Sequence, residues 1–90
     1  MQKRVHLIIS GAVQSVGFRM FIDQKAKELN LCGWVKNRID GSVEIDAQGT
    51  EEAIEALFRH AKRGPSRSMV TSIRKEEREL DSTLGLFRVL

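Results

Sequence analysis

The sequence predicts an α+β fold in the order β-α-β-β-α-β, with two helices on one face of an antiparallel sheet and a short extra strand at the end. Three observations predict it. Apolar residues switch between period two and period 3.6 in that order along the chain. An Asp40-Gly41 pair separates the two middle strands. Each helix carries one apolar stripe, which must be buried against a dry sheet face. This is the ferredoxin-like arrangement. It hosts many unrelated functions, so the fold alone assigns none.

Each element has a local reason. Val5 to Ser10 alternates as a first strand, and Ile8 makes its second face partly apolar, as in a central strand. Gly11 to Gly17 is a loop of small residues. Phe18, Ile22, Ala26 and Leu29 form one helical stripe, and Asn30 and Gly33 can adopt left-handed conformations that end it. Trp34–Ile39 and Ser42–Gln48 read as a hairpin turned at Asp40-Gly41, where both positions tolerate positive φ. In its second strand Val43, Ile45 and Ala47 face the dry side, and Glu44, Asp46 and Gln48 the wet side.

Thr50 is a good N-cap, with Glu51 and Glu52 favouring the dipole of the helix that follows. Ala53, Ile54, Leu57, Phe58 and Ala61 form its stripe, and Gly64-Pro65 stops it. Ser68 to about Arg78 is the next strand, anchored by Met69, Val70 and Ile73. Its irregular pattern predicts a bulge. Leu86 to Val89 is the closing strand.

The 90 residues suit one domain, 1–90, without linker or repeat. A single cysteine, Cys32, excludes an intrachain disulfide and fits a reducing compartment. The basic start Met1-Gln2-Lys3-Arg4 precedes an apolar run too short for a signal peptide, and no segment approaches a membrane span. A cytoplasmic monomer without membrane contact is the expectation. The net charge of +3 is compatible with a small anionic substrate and decides nothing alone.

Two segments carry chemistry. Gly11 to Arg19 lies between a strand and a helix start, where unpaired amides converge into an anion cradle. Arg19 adds a planar fork suited to phosphate oxygens. Taken alone, the same loop also reads as an ordinary connection with a surface arginine. The second segment is Gly33-Trp34-Val35-Lys36-Asn37, followed by Asp40-Gly41-Ser42-Val43 and Gly49. Asn37 is a poor strand residue in mid-strand. It shares parity with Val35 and Ile39, which turns it to the covered side; a structural asparagine bonding nearby backbone is the equal alternative.

Gly11-Ala12-Val13-Gln14-Ser15-Val16-Gly17-Phe18-Arg19 resembles the first signature of the acylphosphatase family, and Gly33 to Asn37 with its downstream residues resembles the second. Gly64-Pro65, then Val70 and Ile73, and the closing Phe87-x-Val89 fit as well, so the resemblance spans nearly the whole chain. It implies hydrolysis of acyl phosphates to a carboxylate and inorganic phosphate. The amides of Ser15, Val16, Gly17, Phe18 and Arg19 would hold the phosphate with the Arg19 side chain. Asn37 would orient water, and no metal or cofactor is implied. One departure stands out: the family usually has glycine where this chain has Ser15. If that position needs positive φ, serine costs on the order of 1 kcal/mol.

Neither segment contains His or Cys. An acyl phosphate tolerates that poverty, because its carboxylate leaving group, with a conjugate-acid pKa of roughly 4–5, departs unprotonated. Elsewhere, Cys32, His6 and His60 lack partners at catalytic or metal spacing. Trp34 reads as packing, Met20 and Phe21 as cover for the core or its rim, and Arg74 to Glu79 as a solvated strand end. The alternatives are a non-catalytic or small-ligand domain and an RNA-binding module on the same topology. The RNA reading lacks strand aromatics for base stacking, with only Trp34 before Phe87, so no specific nucleic-acid partner is expected.

Overall fold

The predicted element order is the observed one. The computed structural model describes all of residues 1–90. It runs β1 (Gln2–Ala12), α1 (Phe18–Glu28), β2 (Cys32–Asn37), β3 (Val43–Thr50), α2 (Glu51–Arg63), β4 (Met69–Arg78) and β5 (Arg88–Val89). The sheet order is β4-β1-β3-β2-β5. β1 is an interior strand, between β4 and β3, as Ile8 implied. The first four strands pair antiparallel, whereas β5 lies parallel to β2 and makes the whole sheet mixed.

The direction of β5 follows from the route that leads to it. After β4 the chain crosses the sheet face that carries no helix. Gln48 fastens it there, donating from Nε2 to the Asp81 carbonyl and accepting the Asp81 N–H. The Gly33 N–H then donates to the Gly85 carbonyl, and the chain arrives at the β2 edge.

Both helices pack on the other face. Val5, Leu7 and Ile9 of β1 and Val43, Ile45 and Ala47 of β3 are buried beneath Phe18, Ile22 and Ala26 of α1 and Ile54, Leu57 and Ala61 of α2. Each of the larger side chains contributes about 1.5–3 kcal/mol by leaving water. Thr50 caps α2 as expected, its Oγ1 accepting the Ala53 N–H at 3.1 Å. Asn30, at φ 58°, terminates α1 while the Leu31 N–H reaches back to the Ala26 carbonyl. Gly33 lies inside β2 instead of ending the helix; a Cβ there would collide with the Asp46 carbonyl. The predicted bulge is at Thr71, where Ser10 pairs with Ser72 but Gly11 pairs with Val70.

Four expectations require correction. Asp46 is on the helix-free face but is only 2% exposed. Arg4 covers it, donating from Nε and Nη2 to its two carboxylate oxygens at 2.9 Å each. The hairpin loop has three residues, Ile39 to Gly41, not two. Arg38 N–H bonds the Ser42 carbonyl, and Gly41, at φ 94°, donates to the Arg38 carbonyl. Asp40 stabilises this longer loop by accepting from both the Ser42 N–H and Oγ. Ile39 is therefore a fully exposed loop tip and not a strand residue. Met69, expected to anchor β4, is exposed; Val70 and Ile73 do pack against the core.

Candidate active site

The end of β1 hands the chain to α1 through residues 13–17. Val13 is buried and fixes the loop's base. Ser15 and Gly17 both take positive φ, 62° and 79°. Gly17 is the α1 N-cap; no side chain caps the helix and no acidic residue occupies its first turn. The backbone N–H groups of Ser15, Val16, Gly17, Phe18 and Arg19 donate to no other group of the protein. A left-handed residue followed by a helical one turns successive amides to the same side, and the helix dipole adds partial positive charge there.

Arg19 extends beside these amides. Its guanidinium makes one hydrogen bond, from Nη1 to the backbone oxygen of Leu90 at 2.9 Å. Leu90 is held in turn by its own N–H on the Val35 carbonyl at 2.8 Å. The Nε and Nη2 groups of Arg19 remain unpaired. Asn37 is the last residue of β2, paired with Val43 across the ladder. It points to the helix-covered face, as its parity with Val35 required. It is exposed because the helices do not extend over that end of the strand. Its carboxamide bonds nothing within the protein, so the structural-asparagine alternative lacks a partner.

Val13, Ser15, Gly17, Phe18, Arg19, Met20 and Asn37 together line one cleft of about 100 Å³. Two of the sequence-predicted groups, Arg19 and Asn37, thus meet across a single cavity with the loop between them. No His, Cys, Asp or Glu lines it. A wider, shallower depression of about 590 Å³ lies around the hairpin, bounded by Lys36, Asn37, Arg38, Ile39, Asp40 and Glu44. Its charged groups are engaged with one another, Lys36 with Glu44 at 3.7 Å and Arg38 with Asp40 at 3.8 Å, and it offers no row of free amides.

Gln14, to which the sequence pattern assigns no role, bridges the two segments. Its Nε2 donates to the Arg38 carbonyl at 2.7 Å and to the Ser42 carbonyl at 2.9 Å. These two bonds tie the amide loop to both ends of the hairpin that carries Asn37. Its place in the first motif was the available signal, but the partners lie 24 and 28 residues away. Asp40 braces the same hairpin. The Ser42 hydroxyl, then the Ser42 N–H and the charge of Arg38, hold its carboxyl below the ordinary 3.8.

Met20, expected to cover the core or its rim, is instead exposed and lines the cleft, whereas the cysteine, the histidines and Trp34 lie outside it. Cys32 is half-buried and free. His6 pairs with Glu44 at 2.6 Å on the helix-free face, and His60 meets the edge of Phe21. Trp34 lies beneath Lys36, 5.4 Å from ring centroid to Nζ. Three or more His, Cys, Asp or Glu side chains gather nowhere in a metal-holding group. No helix is long and apolar enough to cross a membrane.

Comparison with known proteins agrees with the fold. The acylphosphatase family model matches residues 5–89. An acylphosphatase of Chlorobaculum tepidum is 49% identical over 89 residues, covering 99% of this chain and 97% of that protein. The crystal structure of acylphosphatase from Bacillus subtilis superposes with a TM-score of 0.94 at 39% identity, covering 100% of this chain and 99% of the other. Full-length HypF, crystallised in a phosphate- and nucleotide-bound form, contains a similar region at TM-score 0.88 and 31% identity, although this chain covers only 12% of it. With two signatures meeting in one cleft and a match from end to end, the chain belongs to the acylphosphatase family.

Proposed function

We propose that the chain hydrolyses acyl phosphates in this cleft, the amides of residues 15–19 and the Arg19 fork binding the phosphoryl group and Asn37 orienting the attacking water. The observation that carries the reading is the row of unpaired amides facing a half-free guanidinium and an unpaired carboxamide in one small cavity. Amides and guanidinium present fixed donors where charge gathers on the transferring group. The bond from Nη1 to Leu90 holds the Arg19 side chain in place, which leaves the edge formed by Nε and Nη2 for two phosphate oxygens.

Asn37 can accept a hydrogen bond from water through Oδ1 and donate through Nδ2, but it cannot remove a proton at neutral pH. The proton passes to a phosphoryl oxygen of the substrate as the P–O bond to the acyl group breaks. The carboxylate leaves without an acid, and the products are a carboxylate and inorganic phosphate. A phosphomonoester, whose alkoxide must be protonated as it leaves, gets no help from this lining.

The absorbance change on hydrolysis of benzoyl phosphate tests the proposal. Turnover that survives a chelator and vanishes in Arg19→Ala is expected. A folded wild-type chain that leaves benzoyl phosphate intact would refute the assignment.

A further inference from the structure

We propose that Met20 receives the acyl half of the substrate, and that it biases the site toward apolar acyl groups, aromatic or branched aliphatic, over acetyl. The inference rests on the reading of the cleft above. Three apolar side chains line that cleft: Val13, Phe18 and Met20. Val13 and Phe18 are each 1% exposed and belong to the core, so neither has surface to offer. Met20 is 66% exposed and is not a member of the buried core cluster. It follows Arg19 directly in the first turn of α1, on the helix wall of the cleft.

The chemistry supplies a direction. In phosphoryl transfer the attacking and leaving oxygens stand roughly in line, on opposite sides of phosphorus. Asn37 supplies the water from the β2 wall, so the acyl group departs away from β2. The exposed residues left on that side are Ser15, Gly17 and Met20. Only Met20 has apolar reach. An unbranched thioether adapts to acyl groups of different shape, which suits a class of substrates better than a single one. Ile39, more exposed still, lies beyond Asn37 on the hairpin and lines the other depression. The in-line requirement leaves it outside the acyl path.

Steady-state kinetics with benzoyl and acetyl phosphate test this on the wild type, Met20→Gln, Met20→Leu and Ile39→Gln. Met and Gln have similar length and helix propensity, so folding is preserved. Met20→Gln is expected to lower kcat/KM for benzoyl phosphate about three- to tenfold and for acetyl phosphate less than about twofold, the partial loss of an apolar contact at a rim. Inhibition by inorganic phosphate stays unchanged, Met20→Leu keeps the benzoyl-to-acetyl ratio, and Ile39→Gln does not move it. An unchanged ratio in Met20→Gln, an equal fall for both substrates, or a ratio that responds to Ile39 instead would overturn the proposal. Absence of turnover of both substrates by the wild type would strike the underlying reading of the cleft, a result distinct from a ratio that fails to move.

Discussion

Replacing Ser15 with glycine relieves a backbone conformation that the cradle imposes. Ser15 has φ 62°, in the left-handed region, where a Cβ crowds the following carbonyl and costs about 1–2 kcal/mol. Glycine removes that cost but brings a more disordered unfolded chain, which offsets about 0.5–1 kcal/mol. The serine side chain is exposed and forms no hydrogen bond, so its removal sacrifices no contact. The net gain is about 0.5–1 kcal/mol, which raises Tm by about 2–8 °C in a domain of this size. Thermal unfolding followed by circular dichroism measures it. Ser15→Ala is the control, because it removes the hydroxyl and keeps the Cβ; its Tm should stay within about 1 °C of wild type. KM for benzoyl phosphate should not rise in Ser15→Gly, since the backbone amide remains. A Tm at or below wild type, or an equal rise in Ser15→Ala, would show that the Cβ is not the source of strain.

Arg19→Lys should lose most of its activity with an unchanged melting curve, since an ammonium cannot replace the two-pronged edge; benzoyl phosphate kinetics decide it. Asn37→Ala should lower kcat by about 10²-fold or more while inorganic phosphate still inhibits as in wild type; retention of most kcat would exclude the water-orienting role. Gln14→Ala removes two bonds to backbone carbonyls and should destabilise by about 1–2 kcal/mol in urea titration, with kcat falling because Asn37 is less well placed. Because the Asp40 carboxyl is held below 3.8, the folded hairpin keeps that charge to lower pH than the unfolded chain does. Its stabilisation is complete above about pH 5 and fades as the pH falls through the folded-state value, so Asp40→Asn should flatten the stability profile below about pH 4.

What the sequence made legible was local. The α1 stripe, the Thr50 cap, the Gly64 stop and the unusual placement of Asn37 each rest on neighbours a few residues apart. What it concealed depends on distant partners. Asp46 alternates as a solvent residue, yet Arg4, 42 positions away, covers it. The parallel direction of β5 is set by the crossing between Glu79 and Leu86, a segment with no periodicity to read. The hairpin loop is one residue longer than Asp-Gly usually marks because Asp40 bonds Ser42 and so favours the longer turn. In the site, the motifs single out the loop, Arg19 and Asn37, and the structure brings these to one cleft. The brace at Gln14 is not legible in them, since an amide side chain in a loop says nothing of the carbonyls it will find.

The bond from Arg19 to Leu90 gives the smallest element of the sheet an outsized influence. Leu90 bonds Val35, and Val35 belongs to the strand that ends in Asn37. Arg19 and Asn37 are therefore joined by a relay through Leu90, the residue that follows β5, an edge strand of two residues with neighbours on only one flank. Such an edge frays at a lower free energy than the core unfolds. Heat or mild denaturant should accordingly silence the site while the helices and the four long strands remain assembled, so that loss of turnover reports the peeling of β5 before it reports unfolding.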